Sequence, residues 1–134
     1  MKKISYGSHK FSEKVNVTTN ITYTNVDKDL DLRIPELKIN ARFDYQLFEA
    51  TFLSLSYQYN DDRKDSFFNS STFMNEEVTL KSYSLLDFYI SQKILDGKMK
   101  LFASVTNIFN EDYEELYGFS TKGRNFSLGF SLNL

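Results

Sequence analysis

Cysteine and tryptophan are absent from this chain of 134 residues, which also has only one proline, one histidine and five glycines. Without cysteine the chain forms neither disulfides nor thiolate metal sites. His9 is the single histidine, so a Ser-His-Asp catalytic site or a histidine-rich metal site would need partners that the chain does not supply. We therefore predict a protein that is not an enzyme and that holds no cofactor and no metal.

Long apolar runs are also missing. The longest are about three residues, as in Phe88-Tyr89-Ile90, which is far too short for a transmembrane helix. The net charge of −2, with 25% charged residues, offers no electrostatic attraction for nucleic acid. Met1-Lys2-Lys3 resembles the charged start of a signal peptide, but polar residues follow where an apolar segment is required, so the sequence predicts no signal peptide.

Strict alternation of apolar and polar residues is the main feature that the sequence does have. It is clearest at the carboxyl end, from Arg124 to Leu134. The apolar positions there are Phe126, Leu128, Phe130, Leu132 and Leu134, and they alternate with Asn125, Ser127, Gly129, Ser131 and Asn133. Such a period indicates a β-strand with one apolar face. We predict the closing strand of a transmembrane β-barrel, with a half-buried strand of a soluble sandwich as the alternative.

The same period divides most of the chain into strands. It predicts a weak first strand and six clear ones, at Lys2–Phe11, Val15–Thr24, Leu37–Leu47, Thr51–Tyr59, Tyr83–Ile94, Met99–Phe109 and the closing strand. Asp96-Gly97 between two of them is a strong hairpin signal, because both central residues of a type I′ turn need positive φ. Phe102 is an exception to the alternation, since it stands among polar positions.

The connections alternate between short and long. Short ones are predicted near Ser12, Phe48 and Gly97, and long polar loops at residues 25–36, 60–81 and 110–123. Short turns at one end and long loops at the other are typical of outer-membrane barrels. Most strands reach nine residues or more, which suits tilted membrane strands of about 9–11 residues. The predicted fold is all-β, an antiparallel up-and-down meander of six to seven long strands that does not close on itself.

Three segments, Arg33–Leu37, Tyr83–Asp87 and the run that begins at Val105, carry motifs that resemble those of the TonB-dependent receptors of Gram-negative outer membranes. The run from Val105 to Gly118, followed by Gly123-Arg124-Asn125-Phe126, resembles the family's final motif N-[LI]-F-[ND]-x-x-Y and the later G-R. Arg33-Ile34-Pro35-Glu36-Leu37 resembles its R-x-P element, and Tyr83-Ser84-Leu85-Leu86-Asp87 resembles the strand before the Asp-Gly turn. The chain departs from the family in Leu134, where the family usually ends in Phe.

The resemblance implies that residues 1–134 are a C-terminal fragment of a barrel domain that has about twenty-two strands in the family. The parent protein would lie in the outer membrane and import a ferric siderophore, haem or a cobalamin-type ligand. Its partners would be outer-membrane lipid, the remaining strands, a plug domain missing from this sequence, TonB acting through that plug, and the outer-membrane insertion machinery. The fragment alone is not expected to transport.

The resemblance also suggests site residues. The candidates for ligand binding in the extracellular loops are Arg63, Tyr113, Tyr117, Lys122 and Arg124. For Gly123-Arg124 the alternative interpretation is a structural role. The polar-face charges are expected in the lumen, either against the plug or hydrated, and they are Arg42, Asp44, Asp87 and Lys93.

Two alternatives remain open from the sequence. A soluble β-sandwich that binds a sugar or a protein would be a water-soluble monomer whose apolar faces meet in one core. The acidic run Glu111-Asp112-Tyr113-Glu114-Glu115 is either an ordinary solvated loop or a set of oxygen ligands for Ca²⁺, without a known loop pattern.

Overall fold

The structure is a computed structural model that describes residues 2–10, 12–25 and 32–133. The predicted end of the first strand at Phe11, most of the first long loop (residues 26–31) and the last apolar residue, Leu134, lie outside the described residues. The described part is all-β, with strands β1 Lys2–Lys10, β2 Val15–Thr24, β3 Leu37–Phe48, β4 Thr51–Asn60, β5 Arg63–Asn69, β6 Met74–Leu80, β7 Tyr83–Ile94, β8 Met99–Thr106, β9 Glu114–Leu116, β10 Phe119–Ser120 and β11 Asn125–Leu132. No helix in it is long and apolar enough to span a membrane.

Seven of these strands form one antiparallel sheet in the order β1-β2-β3-β4-β7-β8-β11. Successive strands of this sheet are neighbours, as in an up-and-down meander. The pairs β5–β6 and β9–β10 form two separate two-stranded sheets. Within the described residues, β1 and β11 stand at opposite edges and do not pair with each other. The predicted open meander is confirmed.

The register aligns the two kinds of side chain in rows across the sheet. One row is apolar and consists of Val17, Phe43, Leu55, Phe88, Val105 and Phe126. The adjacent row is Asn16, Asp44, Ser54, Tyr89, Ser104 and Ser127. Because side chains one residue apart point to opposite faces of a sheet, the sheet has an apolar face and a polar face.

In the part of the chain that the structure describes, polar side chains are buried more often than apolar ones, which is the reverse of burial in a water-soluble protein. Among the described residues only Leu80 and Tyr83 are buried hydrophobics, whereas the buried polar residues are Ser54, Asn60, Arg63, Asp65, Ser91 and Asn107. The apolar face is open, with Phe126 exposed to 70% and Leu128 to 86%. A β-sandwich would bury these side chains against a second sheet, so the sandwich alternative is wrong.

Two predicted loops contain strands that the sequence did not indicate. The stretch 60–81 was expected to be an extended loop, but β5 and β6 pair from Arg63↔Leu80 to Asn69↔Met74. This hairpin carries polar residues on both faces, so the apolar-polar period that marks the other strands is missing. The short strands β9 and β10 lie inside the predicted loop 110–123, and β8 ends at Thr106 rather than Phe109.

The hairpin predicted at Asp96-Gly97 joins β7 and β8. Asp96 has φ of 52° and Gly97 has φ of 85°, as the turn chemistry requires. Leu95 also has positive φ, at 53°, and its left-handed conformation was not evident from the sequence because large apolar residues seldom adopt it.

Candidate functional site

The three long connections meet at one end of the sheet. The main-chain N–H of Arg33, from the β2–β3 connection, donates to the carbonyl of Lys64 in β5 at 2.6 Å. The N–H of Tyr117, from the β8–β11 connection, donates to Oδ2 of Asp65 at 2.8 Å. We call this region the loop cluster and define it by Arg33, Arg63, Asp65, Tyr83, Tyr113 and Tyr117. It confirms that the long connections emerge on one side.

Asp65 is the centre of the loop cluster and is 1% exposed. Its carboxylate accepts hydrogen bonds from Arg33 Nε at 2.6 Å, from Tyr117 N and from Ser66 N, the last two both at 2.8 Å. Burial by itself raises the pKa of Asp65, but these hydrogen bonds and the Arg33 charge together outweigh it and hold the pKa below its ordinary value. The ionised carboxylate therefore links all three connections.

Arg63 packs beside Asp65 at the start of β5 and is 8% exposed. Its Nη2 donates to the carbonyl of Glu114 at 2.6 Å, and its guanidinium lies 5.4 Å from the centre of the Tyr83 ring. The Tyr83 ring in turn packs on Tyr113, with centroids 4.2 Å apart. Arg63 Nη1 is buried and has no hydrogen-bond partner among the described residues. A buried guanidinium donor without an acceptor is costly.

A pocket beside Arg63 lies between the loop cluster and the polar face of the sheet. It has a volume of about 290 Å³ and is lined by Arg33, Lys38, Asn40, Gln58, Asn60, Arg63, Tyr83 and Glu115. We call it the basic pocket, because it has three cations against one carboxylate. A second cavity of about 430 Å³ shares Arg33 and Lys38 with it. The amides of Asn40, Gln58 and Asn60 add neutral hydrogen-bond donors to the cationic lining.

The cations of the basic pocket differ in how far they are already neutralised. Arg33 forms an ion pair with Asp65 at 2.6 Å. Neither Lys38 nor Arg63 has a carboxylate within ion-pair distance among the described residues. The pocket is therefore suited to a ligand with anionic oxygens.

Asn107, the first residue of the motif that resembles the receptor family, has a structural role. It has φ of 52° and is 4% exposed. Its amide Nδ2 donates to the carbonyl of Glu111 at 2.9 Å, and its Oδ1 accepts from the Glu111 N–H at 2.9 Å. Its own N–H donates to Asp87 Oδ1 at 2.8 Å. These bonds fix the path of the chain from β8 into the loop cluster.

Asn110, the fourth motif residue, acts in the same way on the following segment. Its Oδ1 accepts a hydrogen bond from the Arg124 N–H at 2.9 Å. A Cβ on Gly123 would stand 3.1 Å from that same Oδ1, so the glycine allows a close approach of the two segments. The Gly-Arg pair thus has a structural contact at its backbone.

The predicted ligand-binding residues divide into two groups. Arg63, Tyr113 and Tyr117 lie in the loop cluster, where Tyr117 also packs on Phe67 with centroids 4.4 Å apart. Lys122 and Arg124 are exposed and do not line the basic pocket. Ligand binding by all five stays a prediction.

Sequence reasoning missed Arg33, Lys38 and Asp65 as site residues. Arg33 lies within the R-x-P element, and Lys38 lies within the predicted strand Leu37–Leu47, where alternation alone marks it as a polar residue. Asp65 carried no sequence signal, because its partners come from segments that are distant in the chain. Within the described ranges, no three His, Asp or Glu side chains are grouped so that they could hold a metal ion.

The predicted lumen residues all lie on the polar face. Arg42 Nε forms an ion pair with Asp44 Oδ1 at 2.8 Å, and Ser54 also donates to that oxygen. Asp87 binds the Asn107 N–H, and Lys93 stands directly opposite Lys100 at the end with the short turns. Contact of these residues with a plug stays a prediction.

An open antiparallel sheet with an exposed apolar face, a polar face and long loops at one end defines the fold as a segment of a transmembrane β-barrel. Solved structures agree with this. FpvA of Pseudomonas aeruginosa bound to heterologous pyoverdines matches with a TM-score of 0.82 and 16% identity, over 95% of this chain and 18% of that chain. The siderophore receptor PirA of Acinetobacter baumannii matches with a TM-score of 0.77 and 18% identity, over 95% of this chain and 21% of that chain.

The ferric enterobactin receptor PfeA of Pseudomonas aeruginosa, as a G324V mutant, matches with a TM-score of 0.71 and 15% identity, over 95% of this chain and 21% of that chain. No protein-family profile matches the chain. The chain spans about a fifth of the length of these receptors. Its fold is that of a segment of the siderophore-receptor barrel, so the fold expected from the resemblance to TonB-dependent receptors is confirmed.

Proposed function

We propose that this chain forms part of the β-barrel of an outer-membrane TonB-dependent receptor that imports a ferric siderophore. One observation carries the proposal. The seven-stranded sheet exposes large apolar side chains on one face and carries polar side chains on the other, which suits a wall between lipid and a hydrated lumen. Of the three solved structures described above, PirA is named a siderophore receptor, PfeA is named a ferric enterobactin receptor, and FpvA is bound to pyoverdines with iron. These names favour a siderophore over haem or a cobalamin.

Each part of the chain has a task in this proposal. The apolar face contacts outer-membrane lipid, and the polar face with Arg42, Asp44, Asp87 and Lys93 lines the lumen. The open edges of β1 and β11 pair with the remaining strands of the barrel, because unpaired backbone groups are too costly in lipid. The plug fills the lumen, TonB acts through the plug, and the insertion machinery assembles the barrel from its closing strand. The loop cluster forms part of the mouth.

The experiment uses cells that produce the protein from its native gene and cells from which that gene is deleted. We expect the protein in the outer-membrane fraction, with a folded form that changes its electrophoretic migration after boiling. Uptake of a radiolabelled ferric siderophore should be lost on deletion and restored by the gene. A strain without TonB is the control, and it should show the same loss of uptake.

Two results would contradict the proposal. If the protein is found only in the soluble fraction, its apolar face does not contact lipid. Equal uptake of every ferric siderophore tested with and without the gene would show that the protein does not import them.

A further inference from the structure

The basic pocket contains a guanidinium that is largely desolvated yet incompletely bonded. Arg63 is 8% exposed, and its Nη2 donates to the Glu114 carbonyl, whereas its Nη1 has no acceptor among the residues that the structure describes. In a low-dielectric surrounding an incompletely bonded charged group is unfavourable, and an anion in the pocket that Arg63 lines reduces this penalty by Coulomb attraction. The free protein therefore holds Arg63 in a state that an anion stabilises.

Lys38 supplies a second available positive charge in the same pocket. It lies on the polar face of β3, where Asn60 stands opposite it in β4. Its side chain is exposed, and among the described residues it forms no ion pair. Among the described lining residues Glu115 is the one carboxylate, and it accepts a hydrogen bond from the Tyr83 hydroxyl at 3.4 Å. The lining residues thus leave an excess of positive charge.

We propose that the basic pocket selects anionic ferric complexes over neutral ones, with Arg63 and Lys38 as the residues that determine this selectivity. The inference rests on the proposed function and adds the charge class of the ligand. Three catecholates, each a dianion, leave a ferric complex strongly negative, whereas three hydroxamates, each a monoanion, leave it neutral. The cationic lining and the amides beside it stabilise the first kind and gain little from the second.

The pocket volume defines which part of the ligand is recognised. About 290 Å³ admits one iron-binding arm of such a complex rather than a whole ligand. The adjoining cavity shares Arg33 and Lys38 and continues along the same face. In this proposal the anionic oxygens of one arm enter the pocket that Lys38 and Arg63 both line.

The test measures equilibrium binding to the protein purified from outer membranes in mild detergent. The probes are a radiolabelled ferric tris-catecholate, a ferric trishydroxamate and free citrate. We expect the tris-catecholate to bind at least about tenfold more tightly than the trishydroxamate. Arg63→Gln should weaken tris-catecholate binding by about tenfold or more, as expected for a charge-assisted hydrogen bond. Lys38→Gln should weaken it by about threefold or more, because an exposed ammonium is partly screened.

Matched variants separate charge from folding. Lys98→Gln removes an exposed lysine at the opposite end of the sheet and should leave binding unchanged. Arg63 also bonds the Glu114 carbonyl, so its substitution affects the loop as well as the charge. Lys38→Gln keeps the inference testable even when Arg63→Gln does not fold, since the Lys38 side chain is exposed and its loss creates no cavity.

Two outcomes would overturn the selectivity. One is equal affinity for the anionic and neutral ferric complexes, and the other is an affinity for the tris-catecholate that neither variant changes. When no ferric complex of either class binds, the import proposal fails. Binding of citrate then tests whether the basic pocket is an anion site. Citrate binding that both variants weaken supports an anion site, whereas its absence from the wild-type protein rejects one.

Discussion

The ring of Phe102 covers Gly129 across the β8–β11 pair. The two residues are direct partners in the register, and a Cβ at residue 129 would clash with the ring Cζ and stand only 2.8 Å from Cε2. The ring lies on the polar face, where it also packs on Tyr89 with centroids 6.3 Å apart. Phe102 breaks the alternation of its strand because Gly129 leaves room for an aromatic ring on this face.

Gly129→Ala should destabilise the barrel by about 1–3 kcal/mol, as is usual when an extra carbon enters an occupied space. The measurement is unfolding by denaturant in detergent, followed by heat-modifiable migration. Ser131→Ala, on the same face of the same strand, is the control and should change stability little.

The destabilisation should disappear when Phe102 is replaced. In a Phe102→Ala background, Gly129→Ala removes a flexible residue from a strand without a clash and should be neutral or stabilising by about 0.5–1 kcal/mol. An equal loss of stability in both backgrounds would show that Phe102 is not the obstacle.

Acid should loosen the loop cluster through Asp65. Because the pKa of Asp65 is held below 3.8 in the folded protein, its ionised form stabilises the cluster above about pH 3.8, and this contribution is lost as the pH falls through the lowered pKa. Amide exchange at Tyr117, corrected for the intrinsic effect of pH, should therefore accelerate as the pH falls through the lowered pKa of Asp65.

Asp65→Asn provides the comparison for that measurement. It removes the charge that Arg33 faces and should raise Tyr117 exchange about tenfold or more at neutral pH. The variant should also have no acid-dependent change beyond the intrinsic one. Retention of the full pH effect in Asp65→Asn would assign it to another group.

The two faces of β11 can be distinguished by substitution of adjacent residues. Leu128 is 86% exposed and lies in the apolar row of Leu53, Ile90 and Ala103, whereas Ser127 lies on the polar face. An arginine facing lipid near mid-depth costs about 2–4 kcal/mol, but one facing the lumen stays hydrated. We expect Leu128→Arg to reduce the amount of folded protein in outer membranes and Ser127→Arg to be tolerated.

Leu128 tests the lipid face better than the next apolar residue of β11, Phe130. The register places Phe130 in a row with Leu101, Gln92 and Thr51, closer to the end with the short turns. Heat-modifiable migration of the protein from purified outer membranes measures the folded amount. Equal folding of the two arginine variants would reject the membrane position of this face.

Asn107→Ala should destabilise the connection between β8 and the loop cluster by about 2 kcal/mol or more. The change removes the side-chain hydrogen bonds to Glu111 and places alanine at a left-handed φ of 52°, and each effect costs about 1 kcal/mol or more. Thermal unfolding in detergent checks this. Asn75→Ala, at an exposed position of β6, is the control, and a similar loss there would contradict a special role for Asn107.

The sequence by itself determined the seven main strands and their faces. An alternation of period two fixes which residues share a face, and a register error of one residue would expose the wrong side chains. The short and long connections determined that the loops meet at one end. Asp96-Gly97 determined one hairpin, because few other residues adopt its backbone conformation without strain.

Only the tertiary structure decided how the loops are joined and where the basic pocket lies. The β5–β6 hairpin has polar residues on both faces, so it lacks a period, and its position depends on contacts that Asp65 makes with residues 32 and 52 positions away. Whether Arg63 is exposed or buried likewise depends on Glu114 and Tyr83 from other segments. Local pattern encodes faces and turns, whereas hydrogen bonds and charges between distant segments exist only once the chain is folded.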